Sequence, residues 1–433
     1  MTERKSKSFN IDSTEELTKK LLFWGQKHSS FILLDSNKHK ELYSKYDLVC
    51  AAISVSEVKV DLAKGAFSEL EEFRNKTSDW LFGYLTYDLK NDVENLTSSN
   101  FDGINFPSLH FFQPGIMFFV KGENLEVRYM ESEMFSIEKE LDDLFDSSNE
   151  YLINENRLNI VGRISKENYL EKVEQLRMHI RKGDIYEANF CQEFFSENAI
   201  IDPVKKYIEL NKISTPPFAG FYKLDEKFLI SASPERFITK NENRIISQPI
   251  KGTAKRGKNK NEDIEIKEGL RKNIKERAEN IMIVDLVRND LTKTAKRGSV
   301  NVEELCEIYS FQQVHQMIST ISAEVDEKYS PIDVIKNAFP MGSMTGAPKI
   351  RAMQLIELYE STKRGLYSGA IGYIDPNGNF DFNVIIRSIL YNRNKNYLSF
   401  TVGSAITFKS DAEQEYNETL LKANAMFKIL SND

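Results

Sequence analysis

Lys251 has sequence neighbours that could make it a nucleophile. It follows Pro249 and Ile250 and precedes Gly252, in a stretch that begins just after the strand-like run 244–246. Proline lacks a backbone donor and ends a strand, while glycine lets a ligand approach closely. A lysine held there loses hydration, which favours the neutral, nucleophilic amine. The alternative is a surface lysine beside a basic turn, because four basic residues follow by position 260, and the local sequence alone favours that alternative.

Three glutamates on two predicted helices could supply metal ligands. Glu279 lies at the edge of the buried stripe of one long predicted helix. Glu415 and Glu418 lie one turn apart on a last helix that is predicted to start near Asp411. Carboxylate oxygens are the ligands that Mg²⁺ prefers. By default, Glu415 and Glu418 would instead form a solvated face, with Lys422 paired to Glu418. The apolar positions of the longer helix are Leu270, Ile274, Ala278 and Ile281.

Further along the chain are an unusual arginine, a hydroxyl-rich loop and one histidine. Arg387 lies inside an apolar run that predicts a strand, and a buried arginine usually faces a carboxylate of the protein or of a ligand. Glycine, proline and hydroxyl residues fill the predicted loop Phe339–Lys349. His315 stands in a mostly apolar stretch, where a hydrogen-bonded core histidine is the default. Lysine, arginine, Mg²⁺ and a hydroxyl-rich loop together suit a small dianionic substrate.

The elements that would position these residues are strands and helices without a strict βαβ alternation. Ser165 is a predicted N-cap of a helix that stops at Gly183, and the segments 218–223 and 228–232 predict a hairpin. Antiparallel sheets with helices on their outer faces, an α+β arrangement, are therefore expected. The acidic stretch Glu138–Asn156 is the predicted linker between two regions.

Composition bounds the class of protein. The chain has 433 residues, of which 41% are hydrophobic and 28% are charged, and a net charge of −7 with both signs interspersed. This balance argues against nucleic acid as the main partner. No apolar run approaches the roughly 20 residues of a membrane-spanning helix, and the polar start lacks the pattern of a signal peptide. We expect a cytoplasmic protein with no membrane partner.

Several blocks of the sequence, in the same order, resemble the signature motifs of chorismate-utilising enzymes. The resemblance is strong over residues 165–428 and loose before residue 150. It predicts a pair of large antiparallel sheets flanked by helices, with the active site in a cleft. It also divides the chain into an N-terminal anthranilate-synthase-like region, 1–155, and a chorismate-binding catalytic region, 160–433. The blocks are Asp285–Leu291, Gly342–Met353, Gly369–Tyr373, Asp381–Arg387 and Glu415–Thr419, with Leu33–Ser36 and Gly83–Asp88 as the loose matches.

The motif around Lys251 separates the members of this family. Pro249-Ile250-Lys251-Gly252-Thr253 resembles the aminodeoxychorismate synthases, whereas anthranilate and isochorismate synthases carry alanine at that lysine. Isochorismate synthases also have a lysine base where this chain has Glu187. The resemblance implies replacement of the C4 hydroxyl of chorismate by ammonia, for 4-aminobenzoate and folate synthesis. Lys251 would form a covalent intermediate, and Glu235 would protonate the departing hydroxyl.

The resemblance also assigns binding roles. Mg²⁺ is expected on Glu279 and Glu418, with Glu415 acting through water. The other expected substrate contacts are Arg387 with Tyr367 on the enolpyruvyl carboxylate, Thr345 and His315 as lining residues, and the amides of a turn that includes Gly403 and Ala405.

Two residues depart from the family pattern. Glu187 replaces a usual glutamine and is expected either to be protonated or to pair with a nearby cation. Ala405 adds a methyl group to a turn that is usually richer in glycine, which restricts its backbone.

Two alternatives and one partner complete the sequence predictions. The chain could be component I of anthranilate synthase, or a non-catalytic homologue that binds tryptophan near Ser36.

The cysteines lie outside glycine-flanked elbows, and the five histidines show no partnering pattern with them. We therefore expect a separate glutamine amidotransferase subunit to deliver ammonia. The cysteines are Cys50, Cys191 and Cys306.

Overall fold

The computed structural model describes residues 4–39, 42–146, 153–312 and 314–431. Within these ranges the chain forms 20 strands and 11 α-helices. The strands are β1 (Lys5–Asn10), β2 (Ser30–Asp35), β3 (Leu48–Val60), β4 (Leu81–Leu85), β5 (Leu109–Lys121), β6 (Asn124–Tyr129), β7 (Val161–Gly162), β8 (Glu187–Ser196), β9 (Phe218–Leu224), β10 (Lys227–Ser233), β11 (Arg236–Asn241), β12 (Arg244–Ser247), β13 (Ile250–Lys255), β14 (Asn301–Ser310), β15 (Val314–Glu324), β16 (Gly346–Ala347), β17 (Ala370–Ile374), β18 (Phe380–Val384), β19 (Ser388–Asn392) and β20 (Tyr397–Thr407). The helices are α1 (Thr14–Gly25), α2 (Ala66–Thr77), α3 (Lys90–Val93), α4 (Ile137–Asp146), α5 (Lys166–Lys182), α6 (Pro203–Ser214), α7 (Lys260–Lys272), α8 (Ile274–Thr292), α9 (Pro331–Ala338), α10 (Lys349–Tyr359) and α11 (Ala412–Leu430).

The strands pair antiparallel and join into one hydrogen-bonded network. Strand β2 pairs with β9, and β4 pairs with β17, so the regions 1–155 and 160–433 share this network. The expected α+β fold with antiparallel sheets and flanking helices is confirmed. None of the helices in the described ranges is long and apolar enough to cross a membrane.

Strands at the centre of the network are buried on both faces. In β2, Phe31 and Leu33 pack in an apolar cluster that includes residues of α1, α6 and α11. Ile32, which points to the opposite face, packs with Tyr222, Leu229 and other residues in a second apolar cluster. Alternate side chains of a strand point to opposite faces, so burial on both faces explains why these strands read as continuous apolar runs.

Several local predictions are confirmed. The Ser165 hydroxyl accepts a hydrogen bond from the amide of Asn168 and caps α5, which ends at Gly183 with φ of 82°. The predicted hairpin forms from β9 and β10. The helix expected near Asp411 begins there, because the Asp411 side chain caps α11.

The prediction of one long helix with a continuous buried stripe is wrong. Asn273 separates α7 from α8, and its side chain accepts hydrogen bonds from the first amides of α8. This cap resets the phase of the helix, so Ile274 is 82% exposed and Ile281 is also exposed. The buried face of α8 instead carries Ile283, Val284 and Val287.

The predicted linker at 138–156 is also corrected, because most of its first half is helical. Leu141 and Leu144 of α4 are buried, and the Trp24 indole of α1 donates to Glu140. The remainder of the predicted linker includes residues 147–152, which lie outside the described residues.

Candidate active site

Lys251 lies where the pairing of β13 with β15 is irregular. The register shifts between Ile250 and Thr253, and Gly252 has φ of 92°. Irregular pairing of this kind changes the direction of a side chain relative to a regular strand. The Lys251 ammonium is turned towards β8, where it donates a hydrogen bond of 2.9 Å to Oε1 of Glu187. The pairing of Glu187 with a cation, one of the two options left by the sequence, is therefore observed.

The carboxylates around Lys251 determine its protonation. Burial by itself lowers the pKa of Lys251, but Glu187, Glu279 and Glu235 together raise that pKa above its ordinary value. The expectation that dehydration alone gives a neutral amine is therefore wrong for this chain. The resting side chain is an ammonium ion in an ion pair, and it needs a proton acceptor before it can act as a nucleophile.

Glu235 lies at the junction between β10 and β11 and is 5% exposed. The Ser343 hydroxyl donates a hydrogen bond of 2.7 Å to its Oε1. Burial raises the pKa of Glu235 to about 7, against the opposing effects of the Ser343 hydrogen bond and of the Lys251 charge. A carboxyl group with this pKa is substantially protonated near neutral pH, as a general acid requires.

The hydroxyl-rich loop is fastened to β8. The amide of Asn189 in β8 donates to the carbonyl of Thr345 at 2.8 Å. The Thr345 hydroxyl lies 3.2 Å from the carbonyls of both Met341 and Gly342, so it bonds within its own loop. In this structure the Thr345 hydroxyl therefore stabilises the conformation of its own loop.

A buried arginine, Arg364, stabilises this loop, although the sequence analysis did not identify it. Arg364 donates to the carbonyl of Met344 at 2.6 Å and to the carbonyl of Asn189 at 2.7 Å, and it forms an ion pair with Glu360. Glu360 in turn accepts a hydrogen bond from the amide of Cys191. Arg364 stands in a polar segment with no periodicity, so the sequence offered no signal for its burial.

Tyr367 is buried against the same network. Its hydroxyl lies 3.8 Å from the Sγ atom of Cys191, and burial raises the pKa of Tyr367 well above its usual range. The hydroxyl is therefore a neutral hydrogen-bonding group at physiological pH.

Arg387 is not inside a strand, contrary to the prediction. It lies in the break between β18 and β19 and has φ of 50°, a conformation that non-glycine residues seldom adopt. Burial lowers the pKa of Arg387, and the Glu235 charge opposes this effect. Its guanidinium group makes no hydrogen bond or ion pair to any residue that the structure describes. An unpaired, shielded cation is a suitable partner for an anionic ligand.

Lys275 of helix α8 contacts two of the three predicted metal ligands, one on α8 and one on α11. The ammonium of Lys275 lies 3.9 Å from Oε1 of Glu279 and 3.7 Å from Oε1 of Glu415. Glu418 pairs with Lys422 at 2.8 Å, as the sequence suggested. Lys275 precedes Glu279 by four residues, a spacing that could have identified it from the sequence.

The chemistry of these side chains fits Mg²⁺, although their present arrangement does not form a complete set of ligands. Within the described ranges, no three histidine, cysteine, aspartate or glutamate side chains are close enough to hold a metal ion. Oε1 of Glu279 is buried and has no hydrogen bond to any described residue, and burial raises the pKa of Glu279 to about 7. A hard cation would satisfy this oxygen. Lys275 currently supplies the positive charge, so it would have to move aside.

One other predicted residue, His315, is held by contacts within the protein. The ring nitrogens of His315 lie 3.0 Å from Oδ1 of Asp263 and 2.9 Å from the Ser310 hydroxyl. These contacts leave no ring nitrogen for a ligand, in agreement with the default of a hydrogen-bonded core histidine.

The segment with Gly403 and Ala405 is part of strand β20, not a turn, because it pairs continuously with β8. The Gly403 carbonyl accepts from Lys422 at 2.9 Å, and the Ala405 carbonyl accepts from Ser410 at 3.3 Å. The amide and carbonyl of one strand residue point to the same side, so both amides face away from β8. Their predicted contact with a carboxylate remains compatible with this direction.

Ser36 lines a separate cavity of about 50 Å³ at the end of β2. The Ser36 hydroxyl and the Asn383 amide nitrogen are buried there and have no hydrogen-bond partner among the described residues. Burial raises the pKa of Asp35, which also lines the cavity, to about 6. These polar groups could recognise a small ligand.

Comparisons with known proteins identify a family and similar folds for this chain. The model of the family described as chorismate binding enzyme matches residues 22–428. The chain is 38% identical over 269 residues to aminodeoxychorismate synthase component 1 of Escherichia coli, which covers 62% of this chain and 59% of that protein. It is 32% identical over 356 residues to an anthranilate synthase component I-like protein of Synechocystis, covering 81% and 72% of the two chains.

A solved structure is also similar over most of its length. Anthranilate synthase component I from Streptococcus pneumoniae superposes with a TM-score of 0.77 at 25% identity, covering 90% of this chain and 93% of that chain. The alignments to the first curated relatives span only 30 to 59% of the lengths of those proteins.

Proposed function

Because the chain belongs to the chorismate binding enzyme family, we propose that it is component I of an aminodeoxychorismate synthase. In this reaction, ammonia replaces the C4 hydroxyl of chorismate to give 4-amino-4-deoxychorismate, the precursor of 4-aminobenzoate and folate. The observation that carries the proposal is a buried lysine and a buried, protonatable acid whose charges act on each other, Lys251 and Glu235. The name of the E. coli relative supports the same assignment.

The proposed chemistry proceeds in two displacements. The Lys251 amine adds at C2 of chorismate, the two ring double bonds shift, and the C4 hydroxyl leaves with a proton from Glu235. Ammonia then adds at C4, the double bonds return, and Lys251 leaves C2. Two easier steps replace one difficult displacement, which is the advantage of nucleophilic catalysis.

The remaining residues of the cleft would hold the substrate. Arg387, which lacks a partner in the described part of the chain, would bind the enolpyruvyl carboxylate with help from Tyr367. Glu279 and Glu418 would hold Mg²⁺, and bound Mg²⁺ would supply positive charge for the ring carboxylate. Thr345 would contact the substrate only if its hydroxyl left its bonds within the loop.

We further propose that a separate glutamine amidotransferase subunit supplies the ammonia. Hydrolysis of glutamine needs a reactive thiolate, and the three cysteines are buried in surroundings that disfavour one. Burial raises the pKa of Cys191 to about 12 and also raises the pKa values of Cys50 and Cys306. The chain alone is therefore expected to use ammonium salts and not glutamine.

One incubation tests the proposal. The chain with Mg²⁺, chorismate and ammonium should form 4-amino-4-deoxychorismate, identified by chromatography and mass spectrometry, and Lys251→Ala should not. Glutamine in place of ammonium should give no product. Anthranilate as the direct product would refute the assignment in favour of the second candidate, anthranilate synthase component I, which the similar fold of the S. pneumoniae enzyme supports.

The cavity beside Ser36 supports a further alternative, a tryptophan-binding homologue without catalytic activity. The hydroxyl and the amide in that cavity have no partner in the described part of the chain, which favours a small polar ligand. Isothermal titration with tryptophan, run beside the turnover assay, separates this possibility from an active enzyme. Binding without turnover would favour the homologue.

A further inference from the structure

The contact between Lys251 and Glu187 raises the question of where the lysine proton goes. The proposed covalent step needs a neutral amine, but the resting side chain is an ammonium ion held by surrounding carboxylates. The Lys251 side chain is 12% exposed and that of Glu187 is 1% exposed. Bulk water therefore has poor access to the proton that must be removed.

The nearby carboxylates are not equivalent as proton acceptors. Glu187 alone makes a direct hydrogen bond to the Lys251 ammonium among the residues that the structure describes. Glu235 is engaged by Ser343 and is required as an acid, and Glu279 lies beside Lys275. The acceptor must be within hydrogen-bond reach of the proton that it removes.

The second oxygen of Glu187 is also informative. Oε2 of Glu187 is buried and has no hydrogen-bond partner in the described part of the chain. An ionised carboxylate with one unpaired buried oxygen is costly, and transfer of the Lys251 proton removes both buried charges at once. The backbone around Glu187 is fixed by ladder pairing on both sides, with Ala347 and with Thr407, so the carboxylate is held in place.

We propose that Glu187 is the catalytic base that takes the proton from Lys251 and so creates the attacking amine. This inference rests on the proposed function and adds a residue to it. A proton passes from the Lys251 ammonium to the Glu187 carboxylate, leaving a neutral amine and a neutral acid. The nitrogen electron pair forms the bond to C2, the C4–O bond breaks, and Glu235 gives its proton to the departing hydroxyl, which leaves as water.

The test follows the covalent adduct in the absence of ammonia. Wild-type chain and Glu187→Gln are mixed with chorismate and Mg²⁺, and intact-protein mass spectrometry gives the rate at which the adduct appears at several pH values. Glutamine keeps the shape and can still accept a hydrogen bond from Lys251, but it cannot take the proton. We expect the rate of Glu187→Gln to fall by roughly 10²-fold or more near pH 7, the usual effect of losing a general base.

The pH profile separates a base from a simple counter-ion. The charged groups that face the Lys251 ammonium are Glu187 from β8, Glu279 from α8 and Glu235 from the β10–β11 junction, while Glu276 and Glu418 act on it from further away. Without Glu187 as base, hydroxide must remove the proton, so the adduct rate should rise with pH. If Glu187 served only as a counter-ion, its removal would make the neutral amine more abundant and the adduct faster, which would overturn the proposal.

Two further variants provide controls. Glu187→Asp keeps a carboxylate but shortens the side chain, so it should be slower than wild type while keeping the shape of the wild-type pH profile. A profile like that of Glu187→Gln would refute the role as base. Glu155→Gln removes a carboxylate from a partly buried ion pair elsewhere, with Lys205 at 2.6 Å, and should leave the adduct rate unchanged.

The experiment also separates the two proposals. A wild-type chain that forms no adduct contradicts the covalent step of the proposed function. An adduct in the wild type, formed at an undiminished rate in Glu187→Gln, contradicts only the role of Glu187.

Discussion

The burial of Glu235 leads to a quantitative prediction. The more Glu235 is ionised, the more its burial should lower the free energy of unfolding. Burial raises its pKa from 4.5 to about 7 in the folded chain. The charged form is therefore disfavoured on folding. The cost is absent well below pH 4.5, grows as pH rises from 4.5 to 7, and is complete above 7. The replacement Glu235→Gln removes this titration and keeps an oxygen to accept the Ser343 hydrogen bond.

The size of the effect follows from the two pKa values. Each unit of difference corresponds to about 1.36 kcal/mol, so the full penalty above pH 7 is of order 3 kcal/mol. Only about 1 kcal/mol of it is present near pH 5, so the stability of Glu235→Gln relative to wild type should increase by about 2 kcal/mol between about pH 5 and about pH 8. The same variant should lose activity by about 10²-fold or more, because the departing hydroxyl lacks its acid.

Urea denaturation at these two pH values measures the difference. The control is Glu133→Gln, which removes a carboxylate at an exposed position and leaves Glu235 in place. A difference for Glu235→Gln that is independent of pH, or that favours the wild type more strongly as pH rises, would refute the assignment of a raised pKa to burial.

Three further predictions concern cationic side chains in and around the candidate site. Lys275→Ala should bind Mg²⁺ more tightly than wild type in isothermal titration, because the ammonium near Glu279 competes with the metal; weaker or unchanged binding would contradict this reasoning. Arg387→Ala should weaken chorismate binding by about 1.5–3 kcal/mol, the usual value of a hydrogen bond to a charged group, as measured by equilibrium dialysis, and an unaltered affinity would remove Arg387 from the site. Arg364→Met should lower the free energy of unfolding by about 3–5 kcal/mol in urea denaturation, because Glu360 would remain as a buried charge without its ion-pair partner. A decrease below about 1 kcal/mol would show that the Arg364 contacts do not stabilise the loop.

The fold was predictable where local chemistry fixes local structure. The Ser165 cap, the Gly183 stop and the β9–β10 hairpin all depend on residues a few positions apart, and all were predicted. The prediction of one continuous helix was wrong because the apolar spacing continues through Asn273. Only the capping hydrogen bonds of the Asn273 side chain divide α7 from α8. Arg387 was misplaced because its apolar neighbours fit a strand equally well, whereas its backbone angle belongs to the break between β18 and β19.

The sequence predicted the types of residue in the candidate site but not their protonation states. The motifs identified Lys251 and Glu235, yet the protonation of each depends on groups that are distant along the chain. Glu187 lies 64 positions from Lys251, and Ser343 lies 108 positions from Glu235. Spacing along the sequence cannot reveal such pairs. The sequence analysis therefore predicted a neutral Lys251, whereas the structure shows Lys251 in an ion pair with Glu187.

The irregular pairing at β13 has a consequence for protein engineering. Regular pairing between Ile250 and Thr253 would turn Lys251 to a different side of the strand, away from Glu187. Gly252 permits the irregularity, because a side chain there would need φ of 92° and would come within 3.1 Å of Glu276. A lysine grafted into a relative that carries alanine at this position would thus be insufficient by itself. The lysine, the glycine and the local backbone would have to be transplanted as one cassette, together with a carboxylate on β8.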